Sequence, residues 1–289
     1  VKLSLILFIS IVICAALSAQ TLNVSAGRLI RIEKFPSKFI SARNVDVWLP
    51  NGYSFTKKYA VLYMQDGQML FNADQNQQHI EWKLEELIDS LNTAKLIHDC
   101  IVVGIWNKER LRTAEYFPEK ALDIVNKKSK LNFLNTQLQS KPLADNYLKF
   151  ITQELKPYID KNFPVQKDPQ NTFVAGVKEG GLFSMYAVCE YPEIFGAAAC
   201  MSLPCNYEDH KIYKALMGYI KKHLPDPVNH SFYYDYQDSS FTSESNTWSN
   251  LHLLFERKNY AEKNYTATIV TKEPVTDDEW EHRWYDPLM

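Results

Sequence analysis

The sequence predicts an α/β chain, built as a doubly wound, mostly parallel sheet flanked by helices. Three observations carry this. Tyr59 to Met64 and Cys100 to Trp106 are continuous apolar runs of strand length, as strands covered on both faces require. Between them Leu84, Leu87, Ile88 and Leu91 recur at helical spacing, which makes a strand, helix, strand unit. The same alternation then repeats towards the C-terminus, the pattern of an open sheet with helices on both faces.

The elements follow in order. Val45, Val47 and Leu49 alternate with polar residues and read as an early antiparallel strand, closed by the turn Pro50-Asn51-Gly52. Beyond the first unit, Leu148, Ile151, Leu155 and Ile159 form one stripe of a long helix, with a kink expected at Pro157. Phe173 to Val177 is the next buried strand and runs into a helix beginning at Gly180-Gly181-Leu182. Gly196 to Ser202, Ser231 to Tyr236 and Thr266 to Thr271 are the remaining strands. Trp248, Leu251 and Phe255 mark the helix between the last two. Glu119 to Pro142, rich in Lys, Asn, Gln and Ser, is the one long stretch without period, and reads either as a cap over a cleft or as a solvated surface insertion.

Length and composition fit one large domain over residues 20–289: 289 residues, 46% hydrophobic and 23% charged. A net charge of -2 with no clustered basic face argues against nucleic acid as a partner and for a small or carbohydrate-like ligand. Val1-Lys2, the apolar run Leu3 to Leu17 and Ser18-Ala19 have the basic start, short apolar centre and small-residue end of a secretory signal over residues 1–19. The expectation is a periplasmic or secreted protein with no membrane span after cleavage, the run being shorter than the ~20 residues a span needs. Ile13 stands before Cys14 where a lipoprotein signal carries a small residue, which argues against lipidation. Cys100, Cys189 and Cys200 lie in apolar segments, where free Cys behaves as a small hydrophobe. Cys200 and Cys205 are spaced to meet across a turn, though spacing alone does not establish a bridge. No Cys and His cluster has zinc-ligand spacing, and no cofactor is implied.

Phe173-Val174-Ala175-Gly176-Val177-Lys178-Glu179-Gly180-Gly181 has the frame of a nucleophile elbow, G-x-S-x-G, with Lys178 at the serine position. Other blocks agree with that frame. They are Leu62-Tyr63-Met64-Gln65-Asp66-Gly67-Gln68-Met69-Leu70-Phe71-Asn72, then Gly104-Ile105-Trp106-Asn107 with Arg112, Glu115, Tyr116 and Pro118, and finally Asp277-Asp278-Glu279-Trp280 with Arg283. In order and spacing, over about Phe39 to Leu288, the chain resembles the esterase family of α/β-hydrolases that includes enterochelin esterases, esterase D and the feruloyl and acetyl xylan carbohydrate esterases.

That resemblance implies an α/β-hydrolase fold and three places for a Ser-Asp-His triad. They fall here on Lys178, Thr242 and Val275, while Gly176, Gly180, Gly181, Trp280, Arg283 and Pro287 persist around them. An ammonium is no nucleophile at neutral pH unless strongly desolvated. Asp235 and Asp238 lie near the acid place. His210, His230 and His282 are nearest the expected rim and read as surface residues, and Ser184 is one turn into the helix and packs or faces solvent. Oxyanion-hole donors in this architecture are backbone amides, here those of Glu179 and Gln68. With Asp66, Trp106, Asn107, Arg112 and Glu115 at strand C-terminal ends, these residues make the expected ligand site. Bland readings stand beside it: Arg112 pairs with Glu115 to brace a loop, Trp106 is core, and the Tyr233-Tyr234-Asp235-Tyr236 aromatics pack rather than stack on sugars. Lys178 either contacts an anion or forms a salt bridge with Glu179 or Asp66 and plugs the cleft. The expectation is an exported, non-catalytic esterase-like protein that binds a glycan or an acyl or anionic ligand. Its alternative is an active carboxylic-ester hydrolase with displaced catalytic residues or Lys178 as an amine nucleophile.

Overall fold

A computed structural model describes residues 19–204, 209–237, 244–270 and 277–289. Nine strands form one sheet: β1 (Ala19–Leu22), β2 (Arg28–Phe35), β3 (Arg43–Leu49), β4 (Ala60–Gln65), β5 (Cys100–Ile105), β6 (Thr172–Val177), β7 (Ala197–Met201), β8 (Ser231–Gln237) and β9 (Tyr265–Val270). Their order is β1-β2-β3-β5-β4-β6-β7-β8-β9. β1, β2, β3 and β5 pair antiparallel, and every pairing from β5-β4 through to β9 is parallel. The early antiparallel strand and the parallel strands expected from the sequence are all present; β1 and β2 carried no such expectation.

The helices are α1 (Leu84–Thr93), α2 (Arg112–Tyr116), α3 (Lys127–Phe133), α4 (Ala144–Lys149), α5 (Lys156–Asn162), α6 (Glu179–Glu190), α7 (His210–His223), α8 (Glu244–Arg257) and α9 (Asp277–Leu288). Strand residues alternate between two cores, as a period of two dictates. Leu62, Met64, Val102 and Ala175 pack with Leu84, Leu87 and Ile88 of α1 and Trp284 of α9. Val61, Tyr63, Val103 and Val174 pack with Phe183 of α6, Ile212 of α7 and Phe255 of α8. Both faces are therefore covered, which is why β4 and β5 are buried at every position.

Two expectations are corrected. The long helix is not simply kinked at Pro157: α4 and α5 are joined by a π-helical stretch, Phe150–Leu155, that ends just before this residue. Proline has no N–H to give back one turn, and the wider turn relieves that defect. Glu119 to Pro142 is neither irregular nor a loose insertion. It folds as a 3-10 turn (Glu119–Ile124), α3 and a π turn (Leu134–Leu138), and buries Ala121, Leu122, Phe133 and Leu138 in the core. Its apolar residues are too sparse to reveal a period, yet each is an anchor. Cys100, Cys189 and Cys200 are buried free thiols; Cys205 lies outside the described residues.

One buried charge stands out. Glu85, in the first turn of α1, is fully buried and neither carboxyl oxygen has a hydrogen-bond partner. Burial pushes its pKa up to about 8, and the nearby amides of Glu85 and Ser25 offset only part of that cost. An acid whose folded pKa is raised loses stability as pH climbs from its unfolded value to its folded one. The native protein is therefore expected to weaken between about pH 4.5 and about pH 8, by at most ~1.4 kcal/mol per pH unit. Glu85→Gln removes that slope, and urea unfolding of the two proteins at a series of pH values reads the difference.

Candidate active site

The sheet order changes direction at β4. From β4 the chain passes through α1 to β5 on one side, then returns to β6 on the other. In open α/β sheets ligands sit outside the strand C-termini at such a switch point. Register fixes what gathers there. Gln65 pairs with Ile105 and Met64 with Ala175, so Asp66, Trp106 and the β6 end emerge side by side.

Arg112 sits at the centre of this end. Its Nε and Nη2 donate to the Asp66 carboxylate at 2.9 and 2.8 Å, Nη2 also donates to the Val177 carbonyl at 3.0 Å, and Nη1 donates to Glu179. Asp66 further accepts from Asn107 Nδ2 at 2.6 Å and from the Tyr116 hydroxyl at 3.2 Å. Burial works against the guanidinium charge, but the Asp66 and Glu179 carboxylates outweigh it and raise the Arg112 pKa. Asp66 holds φ 60 and ψ 45, a left-handed conformation that Asp tolerates better than most residues.

Lys178 occupies the sharp turn from β6 into α6 at φ 57 and ψ -121, a sparsely populated region that costs about 1–3 kcal/mol. Its amide donates to Met201 O at 2.8 Å and its carbonyl accepts from Leu182 at 3.0 Å. The glycines make this turn possible. A Cβ on Gly176 would lie 2.5 Å from the Gly180 carbonyl carbon, and one on Gly181 would lie 2.9 Å from Met201 N. The Lys178 side chain is exposed and has no ion pair or hydrogen bond among the described residues. Neither salt bridge considered for it forms, because Asp66 and Glu179 both serve Arg112. The amides of Glu179 and Gln68 likewise have no acceptor among the described residues.

These groups border a cleft of about 910 Å³. Asp66, Gln68, Trp106, Asn107, Arg112 and Lys178 all line it, and Glu179 touches it only through its pairing with Arg112. Glu115 does not belong there: it is buried in the interior, where Arg43 donates to both its oxygens at 2.9 and 2.6 Å. The brace between Arg112 and Glu115 is also absent, since each has a different partner. Trp106 is half-buried, donates to Asp46 at 2.8 Å and lies under Arg31, with 4.5 Å from guanidinium to ring.

No residue of Glu119 to Pro142 lines the cleft. Its outer wall comes from the β4-α1 connection, Asp74 to Ile80 with Trp82, and from Trp280 of α9, whose ring lies 5.1 Å from that of Trp82. Sequence reading missed this wall, including His79, which stands 4.0 Å from Asp74. The available signal was length: residues 66–83 far exceed the usual βα connection of about 2–6 residues.

The other candidates fall elsewhere. Asp235 is buried and held by Arg283 at 2.7 and 3.0 Å, by Ser202 N at 2.6 Å and by the Tyr233 hydroxyl at 3.1 Å. His230 bonds the Asp226 and Pro192 carbonyls at the N-terminal end of β8, opposite the cleft. His210 and His282 are exposed outside the cleft, and Ser184 is buried, donating to Gly180 O at 2.8 Å. Tyr234 packs against Phe255 and Tyr265. Thr242, Val275 and Asp238 lie outside the described residues.

A mostly parallel nine-strand sheet with a strained strand-to-helix turn at its switch point defines an α/β-hydrolase. The chain belongs to the family described as "Putative esterase", matched over residues 37–283. Its fold is similar to that of a ferulic acid esterase (TM-score 0.64, 18% identity, 92% of this chain and 97% of that one). It is also similar to the ferric enterobactin esterase of Salmonella typhimurium (TM-score 0.62, 14% identity, 93% of this chain and 58% of that one). Among curated relatives, the uncharacterized protein YbbA of Bacillus subtilis is 29% identical over 168 residues, 58% of this chain and 59% of that protein. An endo-1,4-beta-xylanase/feruloyl esterase of Xylanibacter ruminicola is 24% identical over 222 residues, 72% of this chain and 27% of that protein. The chain thus spans less than two thirds of either relative.

The Glu115 finding is testable apart from function. Glu115→Ala strands a buried guanidinium and is expected to cost about 3–5 kcal/mol in denaturant unfolding. The double variant Arg43→Met/Glu115→Leu, which removes both charges, is expected to be distinctly more stable than Glu115→Ala.

Proposed function

We propose that this chain is a non-hydrolytic member of its family whose cleft binds a monoanionic ligand, the carboxylate of an acyl group or an acidic glycan. One observation carries the reading: at the tip of the elbow, where the family's chemistry needs a hydroxyl, an unpaired ammonium faces the cleft. Beside it the amides at the start of α6 offer the partial positive charge that favours anions. The resemblance that puts Thr242 and Val275 at the other two triad places supports the same reading, and Asp235, on β8 ahead of the acid place, is already committed to Arg283.

Glycan or aromatic acyl ligands are suggested by the names of the relatives, a ferulic acid esterase and a xylanase/feruloyl esterase, and by the make-up of the cleft wall. Trp82, Trp106 and Trp280 offer ring edges and faces, while Gln75, Asn76, Gln77 and Gln78 offer amides suited to hydroxyl groups. The N-terminal segment, outside the described residues, adds export to the proposal.

Steady-state assays with p-nitrophenyl acetate and methyl ferulate are expected to give no turnover above the uncatalysed rate. A fluorophosphonate is expected to leave no label. Labelling abolished by Lys178→Ala would sink the proposal in favour of a lysine nucleophile. Lys178→Ser alone is expected to stay inactive, because a hydroxyl without its base is a weak nucleophile; rescue by that single change would show that a base is present. Calorimetry with ferulate and glucuronate, each with a single carboxylate, is expected to detect binding that Lys178→Ala weakens about tenfold or more, the loss of one charge-assisted hydrogen bond.

A further inference from the structure

A second concavity lies between α7 and α8, on the sheet face opposite α1 and α9. Its volume is about 460 Å³, within the range of small-molecule sites. Met217, Leu253 and Leu254 supply aliphatic floor, and Leu253 remains 43% exposed. Ile124, 71% exposed, extends this apolar strip past Gly218. Lys214, Lys221, Arg257 and Lys258 stand around the groove; neither Asp nor Glu lines it, and none of the four cations has an ion pair among the described residues.

We infer that this groove is a separate binding site for a single-chain amphiphile, a hydrocarbon chain with one anionic head. Four like charges gathered without counter-charge raise the local potential and attract an anion. Exposed aliphatic side chains between them gain by covering with hydrocarbon, at roughly 25 cal/mol per Å². A nucleic acid would match the charges, but the rings at the groove, His210 and Tyr213, lie 5.7 Å apart against each other and the floor between the cations is Met217, Leu253 and Leu254, which suits a hydrocarbon chain better than a row of bases. A concave groove also suits one chain laid along it better than a flat bilayer surface. The Lys178 cleft offers a single ammonium and a wall of amides and indole rings, so the two sites differ in the ligand they prefer.

Calorimetry on the full chain with dodecanoate, at pH 8 and below its micellar range, tests this. Binding is expected, with butyrate (head without tail) and dodecyl maltoside (tail without charge) each at least tenfold weaker. Lys221→Glu/Arg257→Glu, exposed charge reversals, is expected to lose at least tenfold in affinity. Gly218→Phe gives an independent variant: a Cβ there meets nothing nearer than Ile124 Cδ1 at 3.7 Å, so the ring fills the groove without invading the core. It too is expected to lose at least tenfold, with its thermal midpoint retained, and both losses are expected again in a Lys178→Ala background, where the cleft no longer offers an ammonium to the carboxylate. Absence of dodecanoate binding, native affinity in either groove variant, or dodecanoate binding that Lys178→Ala alone abolishes would each overturn the inference. So would co-sedimentation with phosphatidylglycerol vesicles, capture of an acidic peptide, or dimerisation through this face, if any of these occurs without uptake of monomeric dodecanoate.

Discussion

The guanidinium of Arg112 holds the functional end of this protein together. It bonds the carboxylate that follows β4, the last carbonyl of β6 and the first side chain of α6, while its own helix follows β5. Three neighbouring strand ends are thereby fixed to one rigid planar group. A lysine could not do this, since a point charge on a flexible stem has no fork to span three acceptors. Asp66 is positioned in turn by Asn107 and Tyr116, so the backbone around Gln68 is set by the same network.

Around that anchor the turn at Lys178 survives for reasons that are purely backbone. Its unfavourable dihedral angles are held by bonds from its own amide and to its own carbonyl, and by glycines that let β6, α6 and β7 approach within contact distance. None of these features depends on which side chain projects from the turn. The fold can therefore keep the geometry of a hydrolase elbow while carrying an ammonium there. A strained conformation is evidence that a position is over-determined by its surroundings, and only the side chain decides what chemistry is on offer.

Most of the sheet was legible because buried parallel strands are continuous apolar runs and the helices between them keep their period. What was not legible involved pairs distant in sequence. Arg43 and Glu115 lie 72 residues apart, and no local pattern says that they meet; Glu115 sits one turn after Arg112, which made a local brace look natural. Asp66 drew notice through its place just after a strand, yet its role as the counter-charge of Arg112 needed the β4-β5 register to emerge. Glu119 to Pro142 hid its helices because a few large anchors, not a repeating stripe, attach them to the core. The wall from Asp74 to Trp82 is polar and irregular, and only its length distinguished it from an ordinary loop.

Charge placement explains why a monoanion is the favoured ligand in the proposed reading. Asp66 and Glu179 carry two negative charges, Arg112 and Lys178 two positive ones, so the floor is balanced before any ligand arrives. The balance is uneven in space: Arg112 is shared by both carboxylates, and Lys178 is left facing solvent. One carboxylate can meet that ammonium and the amides at the start of α6 without disturbing the clasp. A phosphate ester would bring a second charge with no partner at the floor, and would meet Asp74 and Glu109 on the exposed rim. Those rim carboxylates are screened by water and salt and so act weakly on a neutral portion of a ligand. They still bias the cleft against highly charged anions, leaving a single acid group on an otherwise neutral, hydroxyl-bearing or aromatic body as the best match.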